Sequence, residues 1–199
     1  MNSSVKTNTS LSLAAISQDI HNIFRTKSLE TLQLTLDRKD ISISEISNHD
    51  DFLYGQMMGY ILINSRSMKA SFKIHYSQSL AQKIAAKQLG LLLEEVNVEA
   101  TNDFMREYCN LAAGYISDTF AYNNILTDIS IPLITDGFDE VWFSDSSRPL
   151  DQKDYWKFTW DEFSLILSDV VQIRDLEAFQ NLKLPQKDTR SSDEGITFL

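Results

Sequence analysis

Residues Thr101–Ala121 read TNDFMREYCNLAAGYISDTFA, and the fold turns on this run. Stepped at about 100° per residue, Met105, Tyr108, Cys109, Ala112, Ile116 and Phe120 share one side of a helix, the stripe of a core-facing element. Asp103, Glu107, Asn110, Gly114, Ser117 and Asp118 take the opposite side. Glu107, Asn110 and Gly114 follow one another by about one turn and stack as a ridge toward solvent. An exposed glycine inside a helix costs roughly 1 kcal/mol against alanine. Close approach by another backbone would offset that cost, from a neighbouring element of this chain or from a partner.

Outward toward the N-terminus, Ser77–Gly90 predicts a second helix, with Leu80, Ile84 and Leu89 on its apolar face and Gly90 as its stop. Gly55–Ile63 suits a buried strand. Polar Asn64–Ser67 and the alternating Ala70, Phe72 and Ile74 complete a hairpin. Leu13, Ile16, Ile20 and Phe24 predict an amphipathic helix, whereas Leu32, Leu34 and Leu36, and then Ile41 and Ile43, alternate like strands. Toward the C-terminus, Ile129, Ile131 and Leu133 around Pro132 suggest an edge strand. Val141 and Phe143 suggest another, and Tyr155–Trp160 with Phe163–Leu167 a last hairpin turning at Asp161 and Glu162. The expectation is one α+β domain over residues 10–173, a disordered lead-in over 1–9 and a polar tail over 174–199. Each half opens with an amphipathic helix carrying carboxylate-x-x-Asn, Asp19 to Asn22 in the first and Glu107 to Asn110 in the second, a weak internal repeat.

Hydrophobic residues make up 43% of the 199 and charged residues 23%, the balance of a globular chain. The net charge of -10, with no basic block, argues against nucleic-acid binding and against an anionic membrane surface. No apolar run approaches the roughly 20 residues of a membrane helix, and the Ser- and Thr-rich start lacks a signal-peptide core. Cys109 is the only cysteine, which excludes an intrachain disulfide and thiolate zinc clusters. A cytoplasmic location is expected.

Taken alone, Glu-x-x-Asn on a helix is very common, and a solvated polar face is the better reading of it. The run Glu107-Tyr-Cys-Asn110-Leu-Ala-Ala-Gly114 resembles the ExxNxxxG signature of the CheC/CheX chemotaxis phosphatases. Ser77–Gly90, ending in Leu-Gly, is similar to the helix that precedes the signature in that family, and the resemblance spans roughly residues 10 to 173. It implies a CheC-like single domain in which two long helices pack on an antiparallel or mixed sheet with pseudo-two-fold halves. It further implies hydrolysis of the aspartyl phosphate on a CheY-like receiver domain, which brings its own Mg2+; no cofactor or metal of the chain's own is expected.

In that reaction water attacks phosphorus in line, and positioning and charge stabilisation supply the catalysis. Carried over by resemblance, Asn110 would orient the water through its uncharged amide and Glu107 would pair with a receiver lysine. Asp103, Gly114, Ser117 and Asp118 would touch the partner. Asp19 stands where an intact motif has Glu and Thr26 where it has Gly, so Asp19 and Asn22 are read as a degenerate second site. One intact motif is the CheX pattern, which implies a homodimer. The alternative on the same fold is a non-catalytic receiver-binding or flagellar-switch adaptor. His21, His49 and His75 show no metal-ligand spacing and are expected at the surface or on a helix face. Cys109 is expected as a buried thiol, and Trp142, Trp156 and Trp160 as core or dimer-interface aromatics.

Overall fold

A computed structural model describes residues 12–46, 57–137 and 151–183. The expectations for the lead-in, for Gly55, His49 and Trp142, for the strand at Val141 and Phe143, and for the tail past 183 lie outside the described residues. Helix α1 spans Leu13–Thr35, and the Ser12 hydroxyl caps it by accepting from the Ala15 N–H at 3.3 Å. The strand expected at Leu32–Leu36 is therefore corrected: the helix carries through it. Ser28, Thr31, Leu32 and Thr35 are buried at helical spacing and Leu34 is exposed. Two of these polar positions tolerate burial because the Ser28 and Thr31 hydroxyls donate to the carbonyls of Phe24 and Lys27, each at 2.7 Å.

The strands are β1 (Ser42–Glu45), β2 (Met57–Asn64), β3 (Met68–Tyr76), β4 (Asp128–Ile129), β5 (Leu133–Asp136), β6 (Gln152–Trp160) and β7 (Phe163–Ile173). Helices α2 (Gln78–Leu89) and α3 (Val98–Tyr122) lie between β3 and β4 in sequence. The described strands form one sheet in the order β1-β6-β7-β3-β2-β4, with β5 also on β2, and all its pairs are antiparallel. Both expected hairpins form, with Ile61 opposite Phe72 in one and Trp156 opposite Leu167 in the other. In the second turn Asp161 has φ 47 and is held by Arg38. The interruption at Pro132 splits the expected edge strand into β4 and β5 because proline offers no N–H to the ladder.

Helix α1 lies on the sheet and against α3 through aromatic contacts. The Phe24 ring of α1 sits 6.3 Å from Phe72 of β3 and 6.3 Å from Phe120 of α3, and Phe72 stacks on Trp156 of β6. Trp156 and Trp160 are core residues. Helix α3 comes so close to β2 that a Cβ built on Gly59 would stand 2.8 Å from the Cys109 sulfur. The chain also stays packed beyond Ile173 over the described residues. Phe179 is fully buried edge-on to Phe120, and Asn123 exchanges two hydrogen bonds with the backbone of Lys183. A polar composition hid one aromatic anchor.

Candidate functional site

Helix α3 begins at Asn97, whose side chain accepts from the Ala100 N–H at 2.8 Å while the Thr101 hydroxyl returns to the Asn97 carbonyl. Its rotation about its axis is fixed by the two residues that lie between the candidate pair Glu107 and Asn110. The Tyr108 hydroxyl donates to the Ser28 carbonyl of α1 at 2.9 Å, and Cys109 rests against Gly59 of β2. Burial raises the Tyr108 hydroxyl well above its ordinary range, so it remains a donor, and burial pushes the Cys109 thiol up to about 12. Cys109 is a protonated packing residue. All of the expected core-face residues from Met105 to Phe120 are buried.

The opposite face emerges where the periodicity places it. Asp103, Asn110 and Asp118 are exposed, and Glu107, Gly114 and Ser117 are half-buried. Among the described residues, no hydrogen bond or ion pair engages the side chains of Glu107 or Asn110. Asp103 pairs with Arg106 one turn on, and the Ser117 hydroxyl meets that of Thr127 at 2.5 Å, so both are already engaged within the chain. A Cβ added to Gly114 would meet no atom within 4 Å. Among the described residues no neighbouring element fills that position, and the ridge stays open along Asn110 and Gly114.

Glu107 and Asn110 also form one wall of a cleft of about 680 Å³. Asp103, Phe104 and Arg106 extend that wall, the end of α2 contributes Leu89, and the β4–β5 connection supplies Ile129–Pro132 opposite. That opposite wall was not legible in the sequence, where Ile129 and Ile131 read only as edge-strand residues. An uncharged amide and a free carboxylate at the mouth of such a cleft can position water and bind a cation on an approaching surface.

The second carboxylate-x-x-Asn site lies on α1 in different surroundings. Asp19 is exposed, while Asn22 is half-buried and accepts a hydrogen bond from the Gln18 amide at 3.3 Å. Next to it His21 lies on the helix, as expected, but is buried, and His75 is neither at the surface nor on a helix: it is buried on β3. His21 Nδ1 lies 2.6 Å from Asp169, across 148 residues of sequence, and Arg25 holds both oxygens of Asp154 and reaches Glu45. His21, Asp154 and Asp169 bring three ligand-type groups together, but the guanidinium on Asp154 supplies the positive charge that a cation would bring. Burial lowers the His21 imidazole, the bond and charge of Asp169 more than reverse this, and the net shift is upward. Burial raises Asp169 to about 6 against the pull of His21.

No described helix is long and apolar enough to cross a membrane. No sequence-family model matches the chain, and no curated protein matches it. Solved structures do. A chemotactic CheC-like protein from Shewanella oneidensis aligns with a TM-score of 0.62 at 17% identity over 78% of this chain and 99% of that one. CheX from Borrelia burgdorferi, solved in complex with CheY, BeF3 and Mg2+, aligns at 0.61 and 16% identity over 77% and 98%. FliY from Thermotoga maritima aligns at 0.53 and 16% identity over 85% and 97%. The protein therefore has the fold of the CheC-like and CheX chemotaxis proteins.

Proposed function

We propose that this protein hydrolyses the aspartyl phosphate of a CheY-like receiver domain, with Asn110 orienting the attacking water and Glu107 pairing with a receiver lysine. The observation that carries this reading is the open Glu107–Asn110–Gly114 ridge on α3. Both side chains are free of partners among the described residues, and the glycine beside them is unfilled. An acyl phosphate is already activated toward water, so a fixed amide that aligns the nucleophile supplies the positioning the step needs. The Asn110 amide accepts from the water and donates to a phosphoryl oxygen without adding negative charge. Charge stabilisation comes from the receiver's own Mg2+, and the chain brings no cofactor. Asp103, Gly114, Ser117 and Asp118 border the contact, Gly114 by letting the receiver backbone come close.

The same reading treats residues 10–173 as the phosphatase unit of a cytoplasmic homodimer. Its β2–β3 and β6–β7 hairpins, adjacent through β3 and β7, are pseudo-two-fold counterparts, as are α1 and α3. Asp19 and Asn22 are then a vestigial site. The similarity in fold to FliY favours one alternative, a receiver-binding adaptor in a flagellar switch that docks without turnover. Measuring the decay of phosphorylated receiver with wild-type protein and Asn110→Ala separates the two. Acceleration by the wild type that falls by about 10²-fold or more in the variant is expected. Equal rates in the two proteins would overturn the assignment.

A further inference from the structure

The cleft beside Asn110 has one acidic wall and one apolar wall, and the apolar wall is held in place. Ile131 is 82% exposed, with Ile129 and Leu89 partly exposed around it. Such exposure would mean little on a loose loop, but this connection is fastened to the sheet edge. The Ser130 N–H donates to the Leu62 carbonyl at 2.9 Å, and the Leu62 N–H donates to the Ser130 hydroxyl at 3.0 Å. Pro132 then restricts Ile131 to extended backbone, so the Ile131 side chain is set out into solvent by its neighbours on both sides. Across the cleft, Asp103 is paired with Arg106, which leaves the Glu107 carboxylate as the free charge of that wall. The complementary surface carries an apolar side chain beside a basic one.

We infer that the Ile129–Pro132 connection is a specificity wall, and that it receives an apolar side chain of the receiver flanking the basic group that meets Glu107. This inference rests on the phosphatase reading but concerns which receivers are bound. Glu107 and Asn110 face the same cleft as Ile131, so one approaching surface meets the polar pair and the apolar wall together. Anchoring through Ile131 contributes equally to substrate and transition state, so it sets KM and leaves kcat alone. Asn110 acts on the reacting water and sets kcat.

The test uses the full chain with a CheY-like receiver, measuring turnover of the phosphorylated form and, separately, the Kd for its BeF3-loaded form. Ile131→Ser and Ile131→Asp lie on the surface and leave the core intact. An increase in KM and Kd of roughly tenfold for Ile131→Asp, smaller for Ile131→Ser, with kcat within about twofold, is expected. Leu34→Ser, an exposed leucine on α1, should move neither. Unchanged Kd in both Ile131 variants overturns the inference even if the wild type is an active phosphatase. Binding without wild-type turnover overturns the phosphatase reading, while a weakened Kd in the variants still upholds the wall. Loss of self-association in the Ile131 variants with unchanged Kd assigns the wall to a second copy of this chain and overturns it.

Discussion

Gly114 gives up helix stability at a position where no other described element gains from it, since beyond its own helix turn no described atom stands within 4 Å of the missing Cβ. Substitution there should separate stability from function. Gly114→Ala is expected to raise stability by up to about 1 kcal/mol in urea denaturation. Gly114→Gln should keep most of that gain and weaken binding of a BeF3-loaded receiver, because its side chain stands where the partner backbone approaches. Unchanged affinity for the glutamine variant would remove Gly114 from the contact. Asn110 behaves oppositely: an exposed polar residue without described partners costs little stability when truncated, and the loss appears in turnover. Both residues were legible in the sequence, because a helix places every third or fourth residue on one face wherever it is later docked. Ser117 and Asp103 were legible only as exposed; their engagement by Thr127 and Arg106 was not.

At the scale of the element, α3 is positioned by one close approach and one buried hydrogen bond. Gly59→Ala would drive a Cβ to 2.8 Å from the Cys109 sulfur, so the buried thiol or one of the two elements would have to shift. A destabilisation of about 1–3 kcal/mol is expected by chemical denaturation. Adding Cys109→Ala should recover much of it, because the two substitutions share one space and are coupled. Strict additivity of the two would show that the contact is not what fixes the helix on the sheet. Glycine in a strand often marks such an approach, yet nothing around Gly59 in the sequence names Cys109. Helix ends were more accessible: Ser77 caps α2 and Gly90 ends it with φ 66, because capping is settled within a turn of backbone.

Across the whole molecule, the His21–Asp169 pair joins α1 to β7 and makes stability depend on pH. His21 is raised above its ordinary 6.5, so its stabilisation is complete below that value and is lost as pH rises through the folded one. Asp169, raised from 3.8 to about 6, shifts in the same direction. Between those values the folded protein keeps a proton that the unfolded chain has released, and stability again falls as pH rises. The advantage of wild type over the near-isosteric double variant His21→Gln, Asp169→Asn should shrink in urea titrations as pH rises from about 3.8 to about 6 with Asp169, and again above 6.5 as pH passes the raised His21 value. A constant difference would show that the pair does not titrate on folding. Arg38 holds Asp40 and Asp161 below the usual carboxylate range, but both carboxylates are exposed and screened.

The sequence by itself determined the α+β class, the α2 and α3 helices, both hairpins and the polar face that carries Glu107 and Asn110. Each is written in periodicity and capping over a few consecutive residues. Over Leu32–Leu36 that signal failed, because so short a run satisfies both periods and only burial of Thr31 and Thr35 against the core decided for helix. Tertiary structure alone decided that Phe179 would bury, that His21 would meet Asp169, and that Ile131 would stand across a cleft from Asn110. Those outcomes join groups far apart in the chain, and their free energy comes from packing, desolvation and charge pairing, which no local pattern encodes.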